Sequence, residues 1–153
     1  MRLEDLKNKE IEITEEGLLK AVEKKTGKFI PKDGELYWYV DSCGYVSSEF
    51  DYDEWLVNHI PVFAKQKEAE EYKDYLELLD KYKYEFSNDE WKDDDIEKWY
   101  LIYDYFREDL NIDCNTFTRR PSHAYFKSKE DAEAFINDVG EANIKRFMFG
   151  VWE

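Results

Sequence analysis

The chain has 153 residues, 37 Asp and Glu against 22 Lys and Arg, a net charge of −15, and 18 % aromatic residues. That length allows one domain or two very small ones sharing a core. So many aromatics exclude a disordered acidic tail, and so negative a field opposes direct binding to nucleic-acid phosphates or a membrane surface.

Cys43 and Cys114 are the only cysteines, too few and too far apart for a disulfide scaffold or a zinc motif, and reduced thiols suit a cytosol. No signal-peptide pattern begins at Met1, and no apolar run approaches the roughly 18 residues of a spanning helix. The expectation is a soluble, cytoplasmic protein.

Residues 1–30 predict an N-terminal helical segment, with Thr14 as N-cap, a stripe of Leu18, Leu19 and Val22, and Gly27 as its stop. Pro31 to Gly34 is a turn signal. Residues 36–41 and 45–50 then predict a hairpin around Ser42-Cys43-Gly44. Asp51 to Trp55 is expected as a polar loop with aromatic anchors. A short strand over 60–63 follows, and Pro61 assigns it to an edge or a strand start. Ala69, Tyr72, Leu76 and Leu79 recur at helical spacing and predict a helix over 67–82.

Ser87 to Asp95 is the most acidic stretch and is expected as a linker. Beyond it come strands over 99–105 and 110–117, a short strand over 123–126, and a helix from the N-cap Ser128 to Val139, which Gly140 ends. A last helix over 141–149 turns Ile144, Phe147 and Met148 inward, and Trp152 is expected to pack back.

The chain also repeats itself. At one offset, 126 − 63 = 63, Phe63 falls on Phe126, Ala69 on Ala132, Glu70 on Glu133, Tyr37 on Tyr100 and Asp41 on Asp104. An ungapped register over that span points to a duplicated unit, and two copies are too few for a solenoid. The expected fold is therefore α+β. Two related ββ(β)α modules occupy 31–84 and 96–153, an acidic hinge 85–95, and the helical segment 1–30, each sheet gaining its core from the helix that follows it.

Nothing in the sequence assembles a catalytic site. There is no glycine-rich phosphate loop, nucleophile elbow or paired-histidine spacing. His59 and His123 precede the short strands without equivalence and read as ordinary histidines. Asp93-Asp94-Asp95 with Asp89 and Glu90 lacks the alternating ligands and central glycine of a calcium loop. Asp41 and Asp104 stand directly before turns, where aspartate binds backbone amides. No catalytic residue, metal or cofactor is expected.

The feature that points to function is distributed. Acids outnumber bases between Glu85 and Asp113, and Trp91, Trp99, Tyr100, Tyr103, Tyr105 and Phe106 lie among them. Aromatics anchor protein interfaces while charge steers encounter. The candidate partner-binding residues are Asp89, Glu90, Trp91, Asp93, Asp94, Asp95, Glu97, Trp99, Glu108 and Asp109. Because strand alternation gives residues 99–104 two apolar faces, either the sheet is covered twice or one face is a binding site.

Pro31 to Trp38, Lys67 to Glu70, Trp91 with Asp93 to Asp95, Tyr125 to Ala132, Gly140-Glu141 and Gly150-Val151 together resemble small, uncharacterised acidic proteins of phages and prophages of Gram-positive bacteria. Ile60-Pro61-Val62 departs from the glycine-asparagine that usually precedes the short-strand phenylalanine there. The resemblance implies a non-enzymatic accessory protein acting in the host cell during infection. It would bind and inhibit a host defence or nucleic-acid-handling protein (in the manner of an anti-CRISPR protein), its carboxylates standing where DNA phosphates would. The expected partner is a host protein with a basic surface, without direct nucleic-acid or membrane binding, and homodimerisation stays open. Two alternatives remain. One is a sponge for a nucleotide-like immune signal held by cations such as Lys127, Arg119 and Arg120, and the other is a virion structural or assembly protein.

Overall fold

An aromatic strand and a serine-containing one on either side of a glycine turn make the first hairpin. The computed structural model describes residues 29–116, 118–120 and 123–152. In it β1 (Tyr37–Val40) pairs antiparallel with β2 (Val46–Glu49). The Asp41 carboxylate holds the turn, accepting from the amides of Cys43 (2.9 Å) and Tyr45 (3.0 Å) and from the Ser47 hydroxyl (2.9 Å). Gly44 supplies the left-handed residue at φ 83°. The helical segment expected within 1–30 lies outside the described residues, except for Phe29 and Ile30, which are not helical.

The expected loop at 51–55 leads instead into a helix, α1 (Glu54–His59). Asp53 caps it by accepting from the Leu56 amide at 3.0 Å, a local hydrogen bond that offsets the helix's short length. After Pro61 comes β3 (Val62–Phe63), antiparallel to β1 and at an edge of a sheet of order β2-β1-β3. Tyr37, Val57 and Val62 form its described core with Phe29, Tyr39 and Leu56. The Tyr37 hydroxyl, carried inside with its ring, donates to the Asp51 carbonyl at 2.9 Å. Trp152 shares a cavity lining with Phe29, Val57 and Phe63, so the last tryptophan packs back as expected.

Next comes α2 (Gln66–Tyr82) with the predicted apolar stripe, but the core it serves is a different one. Tyr72, Tyr75, Leu76 and Leu79 pack with Leu101, Phe126, Phe135 and Ile144. The chain accordingly divides inside α2. One compact unit comprises Met1–Ala69 with Gly150–Glu153, and the other Glu70–Phe149. The expected modules 31–84 and 96–153 and the hinge 85–95 do not coincide with these units. The stripe on α2 finds its apolar partners further along the chain, and the acidic stretch lies wholly within the second unit.

That stretch is not a bare linker. It contains a short helix, α3 (Asn88–Lys92), started by a complete capping box between Ser87 and Glu90. Then β4 (Lys98–Asp104) pairs antiparallel with β5 (Asp109–Asn115) and with β6 (Tyr125–Phe126), in the order β5-β4-β6. Helices α4 (Lys129–Val139) and α5 (Glu141–Phe149) complete the unit. Ser128 caps α4 through the Asp131 amide at 3.1 Å, and Gly140 ends it at φ 91°, as the sequence predicts.

Both faces of the second sheet are covered. On one, Leu101 and Phe126 are buried with Ala132, Phe135 and Ile144, and residues of α2, β5 and α5 pack around them. On the other, Tyr100, Tyr125 and Phe86 are buried under Trp91, Tyr84 and Ile96. The fold is α+β, with two three-stranded antiparallel sheets and five helices among the described residues. No helix among those residues is long and apolar enough to cross a membrane.

The two sheets share an order and part of a register. β3 and β6, and the starts of α2 and α4 at Gln66 and Lys129, stand 63 residues apart, and Ala69 and Ala132 are both fully buried. The first strands differ. Trp38 faces Phe63 whereas Trp99 faces Phe126, so 99 − 38 = 61. Trp38 thus corresponds to Trp99, two residues away from the repeat read in the sequence. A slip of two keeps each side chain on its face, whereas a slip of one would have inverted the sheet.

Candidate protein-binding surface

The structure separates the ten candidate residues into two places at opposite ends of β4. Asp89, Glu90, Trp91, Asp93, Asp94, Asp95, Glu97 and Trp99 lie before or at its start, and Glu108 and Asp109 just past its end. At about 3.3 Å per residue the two ends are roughly 20 Å apart. They do not form one contiguous patch.

At the first place, the side chains divide by what they touch. Asp89, Asp93, Asp94, Asp95 and Glu97 are exposed. Glu90 is used internally: it accepts from the Ser87 amide at 3.1 Å and the Tyr84 hydroxyl at 3.2 Å, and the Ser87 amide does most to hold its carboxyl below the usual range. Trp91 sets its ring 4.9 Å from Tyr125 and 5.7 Å from Phe86, as a cover over the sheet. Trp99 is half-buried against the main core. Neither tryptophan is a free anchor.

What fixes the acidic loop is a residue that no pattern along the chain singles out. Lys98 is fully buried, its ammonium donating at 2.8 Å to the carbonyls of both Asp93 and Thr116 and lying 5.5 Å from the centre of the Trp91 ring. Asp93 in turn accepts from the Asp95 amide at 2.9 Å. The loop is therefore clamped with its carboxylates outward, the oxygens of Asp93, Asp94 and Asp95 within 4.8 Å of one another. Such crowding of like charge in solvent attracts cations and basic surfaces.

The second place is the tip of the β4–β5 hairpin. Asp104 accepts from the amides of Phe106 (2.9 Å) and Arg107 (3.0 Å), and Glu108 takes the left-handed conformation at φ 58°. Tyr105 donates to the Phe149 carbonyl at 2.8 Å and meets the Tyr103 ring edge-on at 4.8 Å. These contacts hold out Phe106, which is 95 % exposed and stands next to Arg107 with Asp104, Glu108 and Asp109 nearby in the chain. Strand alternation could not mark Phe106, because it stands beyond the strand's last residue.

The first unit carries another acid-flanked aromatic set. Phe50, Tyr52 and Trp55 are all exposed, Trp55 at 63 %, and alternate along the chain with Asp51, Asp53 and Glu54. Trp55 stacks on His59 with ring centres 4.8 Å apart.

The remaining candidates for chemistry have local roles. Asp41 and Asp104 both cap turns, and the Tyr45 amide, then the Ser47 hydroxyl, hold the Asp41 carboxyl below its usual range. His59 ends α1, while His123 packs edge-on to Tyr100 at 5.4 Å, where burial and then Arg120 lower its pKa. Burial pushes the Cys114 thiol up, away from reactivity. Compared with family models, characterised proteins and solved structures, the chain finds no match.

Proposed function

We propose that this is a protein-binding inhibitor, acting without catalysis, that inserts Phe106 into an apolar recess on a partner while its carboxylates engage the basic rim. The observation that carries this reading is the presentation of Phe106. A large aromatic is left 95 % exposed on a tip whose backbone Asp104 and Tyr105 brace, so the backbone part of the ordering cost is met before any encounter. Burying it at an interface contributes on the order of 2–3 kcal/mol. The −15 charge and the clamped Asp93–Asp95 loop raise the encounter rate with a basic surface. The resemblance to phage proteins supplies the setting, a host cell in which the partner is a defence or nucleic-acid-handling protein whose basic cleft the carboxylates occupy in place of phosphates.

The test is capture from a host lysate across a salt series, with Phe106→Ala and Asp93→Asn/Asp94→Asn/Asp95→Asn beside the wild type. The reading expects a nucleic-acid-binding protein that leaves as salt rises, is lost with Phe106→Ala, and is captured more weakly by the triple variant. Capture insensitive to both salt and Phe106 would sink it.

We further infer that the two sheets descend from one duplicated ββ(β)α unit. The shared strand order, the 63-residue spacing of β3 with β6 and of the helices after them, and the matching burial of Ala69 and Ala132 support this. Loss of α2's stripe to the second core would then be a later divergence. Related chains holding a single such sheet would bear the inference out, and families in which only one of the two sheets keeps this order would count against it.

A further inference from the structure

Acidic residues pervade this chain, yet the sixteen residues 114–129 contain none, while Arg119, Arg120, Lys127 and Lys129 all fall there. The fold gathers part of this stretch around a polar recess of the second unit. Residues 83–86 run beside β6, joined by the Tyr84 amide donating to the Tyr125 carbonyl at 2.7 Å. Above that junction lies a recess of about 100 Å³ lined by Lys83, Tyr84, Glu85, Arg119, His123 and Tyr125, among others. Lys127 and Arg120 flank it, the first lying 5.5 Å from the Tyr84 ring centre and the second 5.9 Å from that of Tyr100. Three anionic groups lie near these cations: Glu85 lines the recess, Asp80 shares Lys83 at 3.5 Å, and Glu90 accepts from the Tyr84 hydroxyl beside Lys127.

We propose that this recess binds the phosphate group of a small phosphorylated ligand, with Arg119 and Lys83 as its direct partners and Arg120 and Lys127 as the surrounding positive field. Three considerations favour that class. The volume suits a single tetrahedral oxyanion and is far below the roughly 300 Å³ or more of a whole drug-sized site. Guanidinium and ammonium groups at one recess match phosphate oxygens by charge and by hydrogen-bond geometry. The third concerns range. At physiological ionic strength charges are screened beyond about 8 Å, so a small anion at the recess responds to the local cations. A nucleic acid extends over many such lengths and meets the acidic surface everywhere else. The same screening that admits phosphate excludes a polyanion. This site does not depend on the hairpin-tip reading, and either could stand without the other.

The test uses the full chain, titrated at constant ionic strength with inorganic phosphate, pyrophosphate, AMP and a single-stranded oligonucleotide, and followed by amide NMR shifts of residues 83–86, 119, 120 and 123–125. Arg119→Glu and Lys83→Gln are compared with the wild type, and unchanged shifts in α4 report that the variants remain folded. Saturable shifts with phosphate or pyrophosphate, weakened on the order of tenfold or more by Arg119→Glu, would support the site. AMP binding tighter than phosphate would assign a nucleotide source, and equal binding a phosphate group alone. Absence of saturation by every small anion, shifts that Arg119→Glu leaves unaltered, or an oligonucleotide that binds more tightly than all of them would each overturn the proposal.

Discussion

Replacing Lys98 by methionine tests whether the buried ammonium is what clamps the acidic loop. Methionine fills similar volume without a donor. The Thr116 carbonyl then loses its 2.8 Å partner, a cost of about 1–3 kcal/mol for a polar group left unpaired. The Asp93 carbonyl loses less, because it also accepts from the Ile96 amide at 3.3 Å. The cation–aromatic contact with Trp91 adds about 0.5–2 kcal/mol. Opposing these, the variant no longer has to dehydrate a charge, a relief of several kcal/mol that offsets most of the loss. The balance is a second unit destabilised by about 1–2 kcal/mol, with the loop freed. Urea unfolding read at β4 amides gives the first quantity, and hydrogen exchange at Asp95 and Ile96 gives the second. A Lys98→Met protein equally or more stable, with both amides still protected, would refute the clamp.

Other perturbations address the cores, the caps and pH. Phe135 is fully buried among Tyr75, Tyr82 and Phe126, so Phe135→Ala should cost about 3–5 kcal/mol in urea unfolding of the second unit, and a loss under 1 would mean the core is not there. Ser87→Ala removes one half of the capping box and should cost about 1 kcal/mol, read as faster exchange at the Glu90 amide. Asp41 has its pKa lowered in the folded chain. Its contribution is therefore complete above the unfolded value of about 3.9 and is lost as pH falls from there through the folded pKa. Asp41→Asn should be less stable at neutral pH and should lose less of the first unit's stability over that acid range; an unchanged acid slope would contradict this.

Several elements were legible because their causes are local. Ser128 and Gly140 bound α4, the Asp41 turn sits between β1 and β2, and the stripe of α2 follows from its periodicity, all within a few residues of sequence. α1 and α3 were missed although the signals were present: Asp53 before Glu54, and Ser87 with Glu90 in capping-box spacing. The density of acids around them made both stretches read as solvated loop.

By itself the sequence determined the acidic charge, the α+β class, and the strands and longer helices among the described residues, but not α1 or α3. Only the tertiary structure decided which surfaces these elements cover. Periodicity says that α2 has an apolar stripe but not which sheet receives it, and that choice moved the boundary between units into the helix. Alternation says that β4 has two apolar faces but not what lies on them. Trp91 and Phe86 close one face, and the most exposed aromatic among the described residues is Phe106, where the strand has ended and alternation no longer applies. Charge could be counted along the chain, but its placement could not. Lys98 is inside, the three aspartates are outside, and the acid-free stretch meets Lys83 across β6, because burial and proximity belong to the packed chain and not to its order.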